Sequence, residues 1–298
     1  MIQAPRLLLA GGDTDPQLVR LLKRAALHGI SVHCLLTGQA GSPRLHWDIR
    51  QHRLLDDAEE VTVSAAFIRQ DVFAYLNSNN AQDNASAREW FVSVSGWLLS
   101  SPDIHVCNRP FLACGGVNKP YVLRLALELG FDVADTYISN DIPAMDALAQ
   151  TGEWVVKPVT GGAYCTPLTP HEGRGNNILA FPQTVQQRLE QPELRVFRVG
   201  AAWFGFQVLS DVLDYRTSSA TRMKVVDVPP DLVEKLTLLS DRLGLDFAAA
   251  DFKTDAHSGA LQFLEINTNP MFAGFDQIAA GALSDAILRH LGVLRKCE

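Results

Sequence analysis

The sequence predicts an α/β protein with α+β subdomains. Three observations lead there. The chain opens with a strand–helix–strand pattern at residues 7–36. Near its end, residues 248–272 read AAADFKTDAHSGALQFLEINTNPMF, two apolar runs around a polar turn, which is a β-hairpin signature. Between them, residues 229–244 place Leu232, Leu236, Leu239 and Leu243 at helical spacing, so an amphipathic helix packs on the last sheet.

Composition sets the limits. At 298 residues the chain can bury a large core and form two or three subdomains. Apolar residues make up 47% and charged residues 20%, and the net charge is −7. That balance argues against general nucleic-acid or membrane-surface binding. No apolar run approaches the roughly 20 residues needed to cross a bilayer. Residues 1–13 carry too short an apolar core for a secretory signal. Cys34, Cys107, Cys114, Cys165 and Cys297 are odd in number and scattered, with no CxxC pair, so neither a zinc site nor a disulfide framework is suggested. A reducing cytoplasm fits. Cys165 has no activating base near it in sequence and reads as a bystander.

Taken in order, residues 7–10 form a short strand and residues 11–13 a turn. Asp15-Pro16 starts a helix, the acid as N-cap and the proline at the first position. Leu18, Leu21, Leu22, Ala25 and Ala26 line its inner face, Gly29 stops it, and residues 30–36 form the second strand. This βαβ start implies a small parallel sheet. AGGDTD is not GxGxxG and reads as a structural turn. Residues 65–69 form another strand ending at Arg69, which faces a cleft or the surface. Residues 77–86 are polar and loop-like, leading into a helix through Trp90 and Trp97. Lys119-Pro120 opens a helix carrying Val122, Leu123, Leu125, Ala126 and Leu129, capped by Gly130. Lys119 is placed against the helix dipole, which favours a bound anion there. Residues 154–158, WVVKP, form a strand ending near Lys157. Thr160-Gly161-Gly162 follows, and a glycine loop after a strand-terminal lysine suits a phosphate-covering flap. It is not a Walker A loop.

In the hairpin, Glu265 and Asn267 are two residues apart and share one face of a strand. With the turn centred near His257, Asp251 lies across from Phe263 and on the face of Glu265. Three oxygen ligands beside apolar strands suit a hard cation, Mg²⁺ with nucleotide phosphates completing its shell. A satisfied polar cluster at a strand end is the alternative.

LEINTNP resembles the metal-binding strand of ATP-grasp enzymes, and the upstream DFK strand puts Asp251 where that family places another ligand. The resemblance spans residues 104–290. It implies an ATP-grasp fold behind an N-terminal α/β domain, with boundaries at 1–103 (substrate side), 104–184 (central subdomain) and 185–298 (C-terminal subdomain). It implies that Lys119 and Lys157 hold nucleotide phosphates under the Gly161-Gly162 flap. Residues 185–200 resemble the hinge between the grasp subdomains. There Gln186, Gln187, Arg188 and Leu189 would read adenine through backbone groups, and Glu193 would hold ribose. Most members carry an acid early in this hinge, where Gln186-Gln187 stand here. Residues 213–216, LDYR, and LRVFRVG resemble the RimK-like branch, which includes the microviridin-type peptide ligases. Arg216 would then meet the transferred phosphoryl group, with Arg195 beside it, as a planar guanidinium suits. A surface pair with Asp214 is the other reading of Arg216.

The resemblance implies a cytoplasmic ATP-dependent carboxylate–amine (or carboxylate–thiol) ligase. It would use ATP with one or two Mg²⁺ ions, Mn²⁺ being able to substitute, and pass through an acyl phosphate to ADP and phosphate. Expected partners are small-molecule or peptide carboxylates and amines, with no nucleic acid and no membrane, in a monomer or homodimer. A carboxylate kinase, or a nucleotide-binding module without turnover, is the rival reading.

Overall fold

The computed structural model describes residues 6–38, 42–69, 81–160, 165–171, 177–210 and 222–295. The N-terminal part runs β1 (Arg6–Gly12), α1 (Pro16–Leu27), β2 (Ser31–Thr37), β3 (Leu45–Asp48), β4 (Arg53–Asp56), β5 (Glu59–Glu60), β6 (Ala65–Ile68), α2 (Ala81–Leu99) and β7 (His105–Val106), then a 3₁₀ turn at Arg109–Leu112. Asp15 caps α1 as expected, its Oδ1 accepting from Gln17 N at 2.7 Å. The βαβ start yields a parallel sheet in the order β2-β1-β6-β7. β3, β4 and β5 form a separate antiparallel meander. The polar stretch expected to be a loop up to Ser86 is helical from Ala81 onward. Ala81, Ala85 and Ala87 have high helix propensity, which outweighs the polar residues between them.

The middle part contains α3 (Lys119–Glu128), β8 (Thr136–Asp141), α4 (Ile142–Ala149), β9 (Trp154–Pro158), β10 (Thr166–Pro167) and β11 (Ile178–Gln187). Its strands form a sheet in the order β10-β9-β11-β8. The last part contains β12 (Glu190–Val199), β13 (Ala202–Leu209), β14 (Arg222–Val226), α5 (Pro230–Leu243), β15 (Phe247–Thr254), β16 (Leu261–Asn267), α6 (Ala273–Ile278) and α7 (Ala282–His290). Its antiparallel sheet runs β14-β13-β12-β15-β16. The chain passes from one sheet to the other at Arg188 and Leu189. A single C-terminal helix over 279–294 is expected from sequence. Only α7 stands there, starting after Ala280 and Gly281, whose left-handed backbone separates it from α6.

Both faces of the last sheet are covered. Leu194, Val196, Ala248, Ala250, Phe252, Phe263 and Ile266 pack under α3 and α5. Phe197, Val199, Phe247 and Ala249 face the other way, against α1, α6, α7 and Leu7 and Leu9 of β1. Leu8 and Ala10 of β1 point instead toward α2. Burial on two faces explains why β15 is apolar almost throughout rather than alternating. Asp251 stands out in that run because it lies where the apolar face ends.

Candidate active site

The hairpin forms, in a register other than the expected one. Phe252 pairs with Phe263, and Asp251 pairs with Glu265, so Leu264 is the extra residue of a β-bulge. Without the bulge Asp251 would oppose Leu264, and the two carboxylates would lie on opposite faces. The bulge keeps Phe252 and Phe263 in the core while placing Asp251 across from Glu265.

Asn267 Nδ2 donates to Asp251 Oδ2 at 3.1 Å and to Glu265 Oε1 at 3.0 Å. Its amide thus bridges the two acids. Rotated by half a turn, it would offer an oxygen at the same point. Arg195 pairs with Asp251 from β12, its guanidinium 3.4 Å from Oδ1. That guanidinium also lies 5.4 Å from the ring centres of Phe197 and Phe275.

Lys119 opens α3, capped by the Asn118 side chain, which accepts from Tyr121 N at 3.0 Å. Its Nζ reaches Glu265 Oε2 at 2.7 Å. Burial pushes the Glu265 carboxyl up. The Lys119 ammonium, by charge and hydrogen bond, together with Lys157 and the Asn267 amide, more than offsets this and holds it at about 2. Lys157 Nζ donates to Gln186 Oε1 at 3.1 Å. Burial lowers the Lys157 pKa first; Glu265 and Cys165 oppose that, while Lys119 and Lys253 lower it further. The two expected phosphate lysines and the two expected metal acids therefore share one electrostatic neighbourhood, and Cys165 is near enough to act on Lys157.

The hinge residues divide. Gln186 is buried, holds Lys157 and donates to Thr136 Oγ1 at 2.8 Å. The backbone amides of Gln187 and Arg188 go to Asp135 O and Glu153 O, both at 2.9 Å. The Arg188 side chain bonds Glu153 at the surface. Leu189 is buried at the crossing between sheets. Glu193 is buried on the face shared with Arg195, and its Oε2 is 3.5 Å from Lys253 Nζ. Gly161, Gly162 and Arg216 lie outside the described residues.

Three groups escaped the sequence reading. Lys253 is two residues after Asp251, and the period of a strand puts it on the same face, so the signal was present. Arg69 is buried, not at a surface or cleft. It donates to Asp15 Oδ2 at 3.0 Å, Asn269 O at 2.9 Å and Pro270 O at 3.0 Å, and so grips the turn after Asn267. Gln17 Oε1 accepts from Phe272 N and Ala273 N at 3.1 and 2.7 Å. Nothing local in the sequence reports these two long-range contacts.

No family model matches the sequence, nor does any curated protein. Solved structures do match. The ATP-grasp ligase PsnB, complexed with a phosphomimetic variant of minimal precursor, Mg and ADP, superposes with a TM-score of 0.77 at 22% identity, over 96% of this chain and 98% of that one. The macrocyclase MdnC from Microcystis aeruginosa MRC, bound with precursor peptide MdnA, gives 0.76 at 21%, over 96% and 99%. The VanG D-Ala:D-Ser ligase from Enterococcus faecalis gives 0.64 at 13%, over 98% and 99%. The likeness runs nearly end to end in each case, and it establishes that this chain has the ATP-grasp fold.

Proposed function

We propose that this protein is an ATP-dependent carboxylate–amine ligase. The observation that carries the reading is the Asn267 amide lying between Asp251 and Glu265, with Lys119 against Glu265. An NH₂ group there donates to two facing acids at the point a cation would occupy, and the donor set is all oxygen once the amide turns. Asp251, Glu265 and Asn267 would hold Mg²⁺, which when bound neutralises charge on the phosphoryl group in transfer.

The chain's own residues align and balance charge. Lys119 and Lys157 would take phosphate oxygens, and Arg195, anchored on two aromatic rings, fixes Asp251. With two hinge amides already committed, adenine recognition falls to Leu189 and neighbouring carbonyls, and Glu193 would hold ribose. Arg216 is proposed for the γ-phosphate on the resemblance alone. In the reaction a carboxylate oxygen attacks the γ-phosphorus and the bond to ADP breaks. An amine then attacks the carbonyl carbon, loses a proton, and phosphate leaves. A carboxylate has no usable leaving group, and phosphorylation provides one.

Residues 1–103 would form the substrate side, 104–184 and 185–298 the two halves of the nucleotide site. Two of the solved structures of this fold hold a precursor, which makes a peptide carboxylate the first acid to test. No helix among the described residues is long and apolar enough to cross a membrane.

The test incubates the protein with ATP, Mg²⁺ and candidate peptide acids, with and without hydroxylamine. Acid-dependent ADP together with a hydroxamate is expected. AMP as the acid-dependent product would overturn the mechanism. ADP and hydroxamate without an amide from any amine would favour the kinase.

A further inference from the structure

We propose that Cys107, Asp246 and His290 form a second metal site, of the kind that takes Zn²⁺, at the junction of the N-terminal sheet with the last sheet. The proposal does not depend on the ligase reading. Cys107 follows β7, Asp246 precedes β15, and His290 ends α7. One donor atom from each lies within 4.8 Å of the others. A thiolate, an imidazole and a carboxylate are a borderline-soft set that suits zinc and not magnesium. Ligands around tetrahedral zinc stand about 3.3–3.6 Å apart, given bonds of about 2.0–2.3 Å. His290 Nε2 and Asp246 Oδ2 are 3.0 Å apart, and the Cys107 sulfur lies within 4.8 Å of a donor atom of each.

The surroundings hold these ligands in place. Asp246 Oδ1 accepts from Asn108 N at 2.6 Å, and Asn108 Oδ1 accepts from Asp246 N and Phe247 N at 2.9 and 3.0 Å. This reciprocal clasp locks the residue after Cys107 to Asp246. Asn108 sits in the left-handed region, φ 50°, which asparagine tolerates better than most residues. Gly200 cradles the imidazole: a Cβ there would come 2.6 Å from His290 Nδ1. Ordered outer partners of this kind orient metal ligands. Cys107 is buried, while the Asp246 and His290 side chains are 39% and 27% exposed, which gives an ion a path in and water the fourth position. The simpler arrangement, a His–Asp hydrogen bond beside a core cysteine, would need no metal and no thiolate.

Cobalt separates the two. The full-length chain, stripped with chelator, is titrated with Co²⁺ alone and then with Zn²⁺. One equivalent of Co²⁺ should produce thiolate-to-cobalt charge-transfer absorption and tetrahedral visible bands, both displaced by Zn²⁺. Cys107→Ser and His290→Ala should each weaken binding at least about tenfold and remove the charge-transfer absorption. Glu265→Gln should leave it unchanged, since oxygen ligands give no thiolate absorption. His290 is half-exposed, so His290→Ala remains informative even if Cys107→Ser fails to fold. Absence of thiolate absorption in the wild-type chain would overturn the site. So would absorption that survives Cys107→Ser, because another cysteine would then be its source. Saturating Zn²⁺ should also raise Tm in the wild-type chain and not in His290→Ala, and an equal rise in both would count against the proposal.

Discussion

Two clusters of charge lie at either end of the segment 265–270, one buried and one half-buried, and they are built to opposite ends. At the turn, Arg69 and Asp15 are 1% and 0% exposed and pair one to one, with carbonyls of Asn269 and Pro270 taking further guanidinium protons. At the strand, Lys119, Lys157, Lys253 and Arg195 crowd around Glu265, Asp251 and Glu193, and burial together with the neighbouring lysines lowers the Lys157 pKa. The first cluster is closed on itself and braces β6 and the start of α1 against the turn after β16. The second crowds cationic groups together, and burial disfavours the charged form of Lys157. Similar residues thus close on one another at the turn and crowd around the strand acids at the other end.

The sharpest break of this contrast is Arg69→Met. It leaves Asp15 charged and buried, and should destabilise the fold by about 3–5 kcal/mol in denaturant unfolding. Arg69→Met with Asp15→Asn should recover a large part, because Asn keeps the cap and removes the orphan charge. A double variant no more stable than Arg69→Met would show that the pair is not the brace.

Glu265→Gln should be read mainly in activity. We expect kcat to fall by about a hundredfold or more, about 2.7 kcal/mol, in a chain that still folds but with a lowered Tm, since the carboxylate that Lys119 holds at about 2 also contributes stability at neutral pH. Retention of more than about a tenth of kcat would remove Glu265 from the metal site. Asp251→Asn should be milder if Glu265 bridges two ions. Lys157→Met comes next. It should raise the ATP concentration for half-saturation by about tenfold while leaving unfolding unchanged; a loss of stability instead would make Lys157 a second brace.

The smallest effect belongs to a partly buried cluster. The hydrogen bond and charge of Arg24, with His28, hold the Asp285 carboxyl below the ordinary range despite partial burial. A depressed carboxylate stabilises the fold above its unfolded pKa of about 3.9, and that contribution fades as pH falls through the lower folded value. Asp285→Asn should cost about 1–2 kcal/mol at neutral pH, and the gap to wild type should close in acid. A pH-independent gap would assign the loss to packing.

The order of motifs, Asn-Lys before a helix, VVKP before glycines, and DFK before LEIN, was legible in sequence because each is local. So were the α3 start, the Asp15 cap and the α5 stripe. The hairpin was legible and its register was not: periodicity counts alternation, and the Leu264 bulge changes the count without any glycine to mark it. Arg69 stayed ambiguous because its partners, Asp15 and Asn269-Pro270, are distant in sequence, and a buried arginine reads like an exposed one until they arrive.

By itself, then, the sequence determined many of the strands and helices, and which residues have chemistry to offer, since propensity, capping and face alternation act over a few residues. Only the tertiary structure decided which of those residues meet. It set Asp251 against Glu265 through a bulge, drew Lys119 onto Glu265 from a helix packed across the sheet, and gathered Cys107, Asp246 and His290 from three separate segments. Such meetings depend on long-range packing of both faces of one sheet, and that packing is a property of the whole chain and of no window within it.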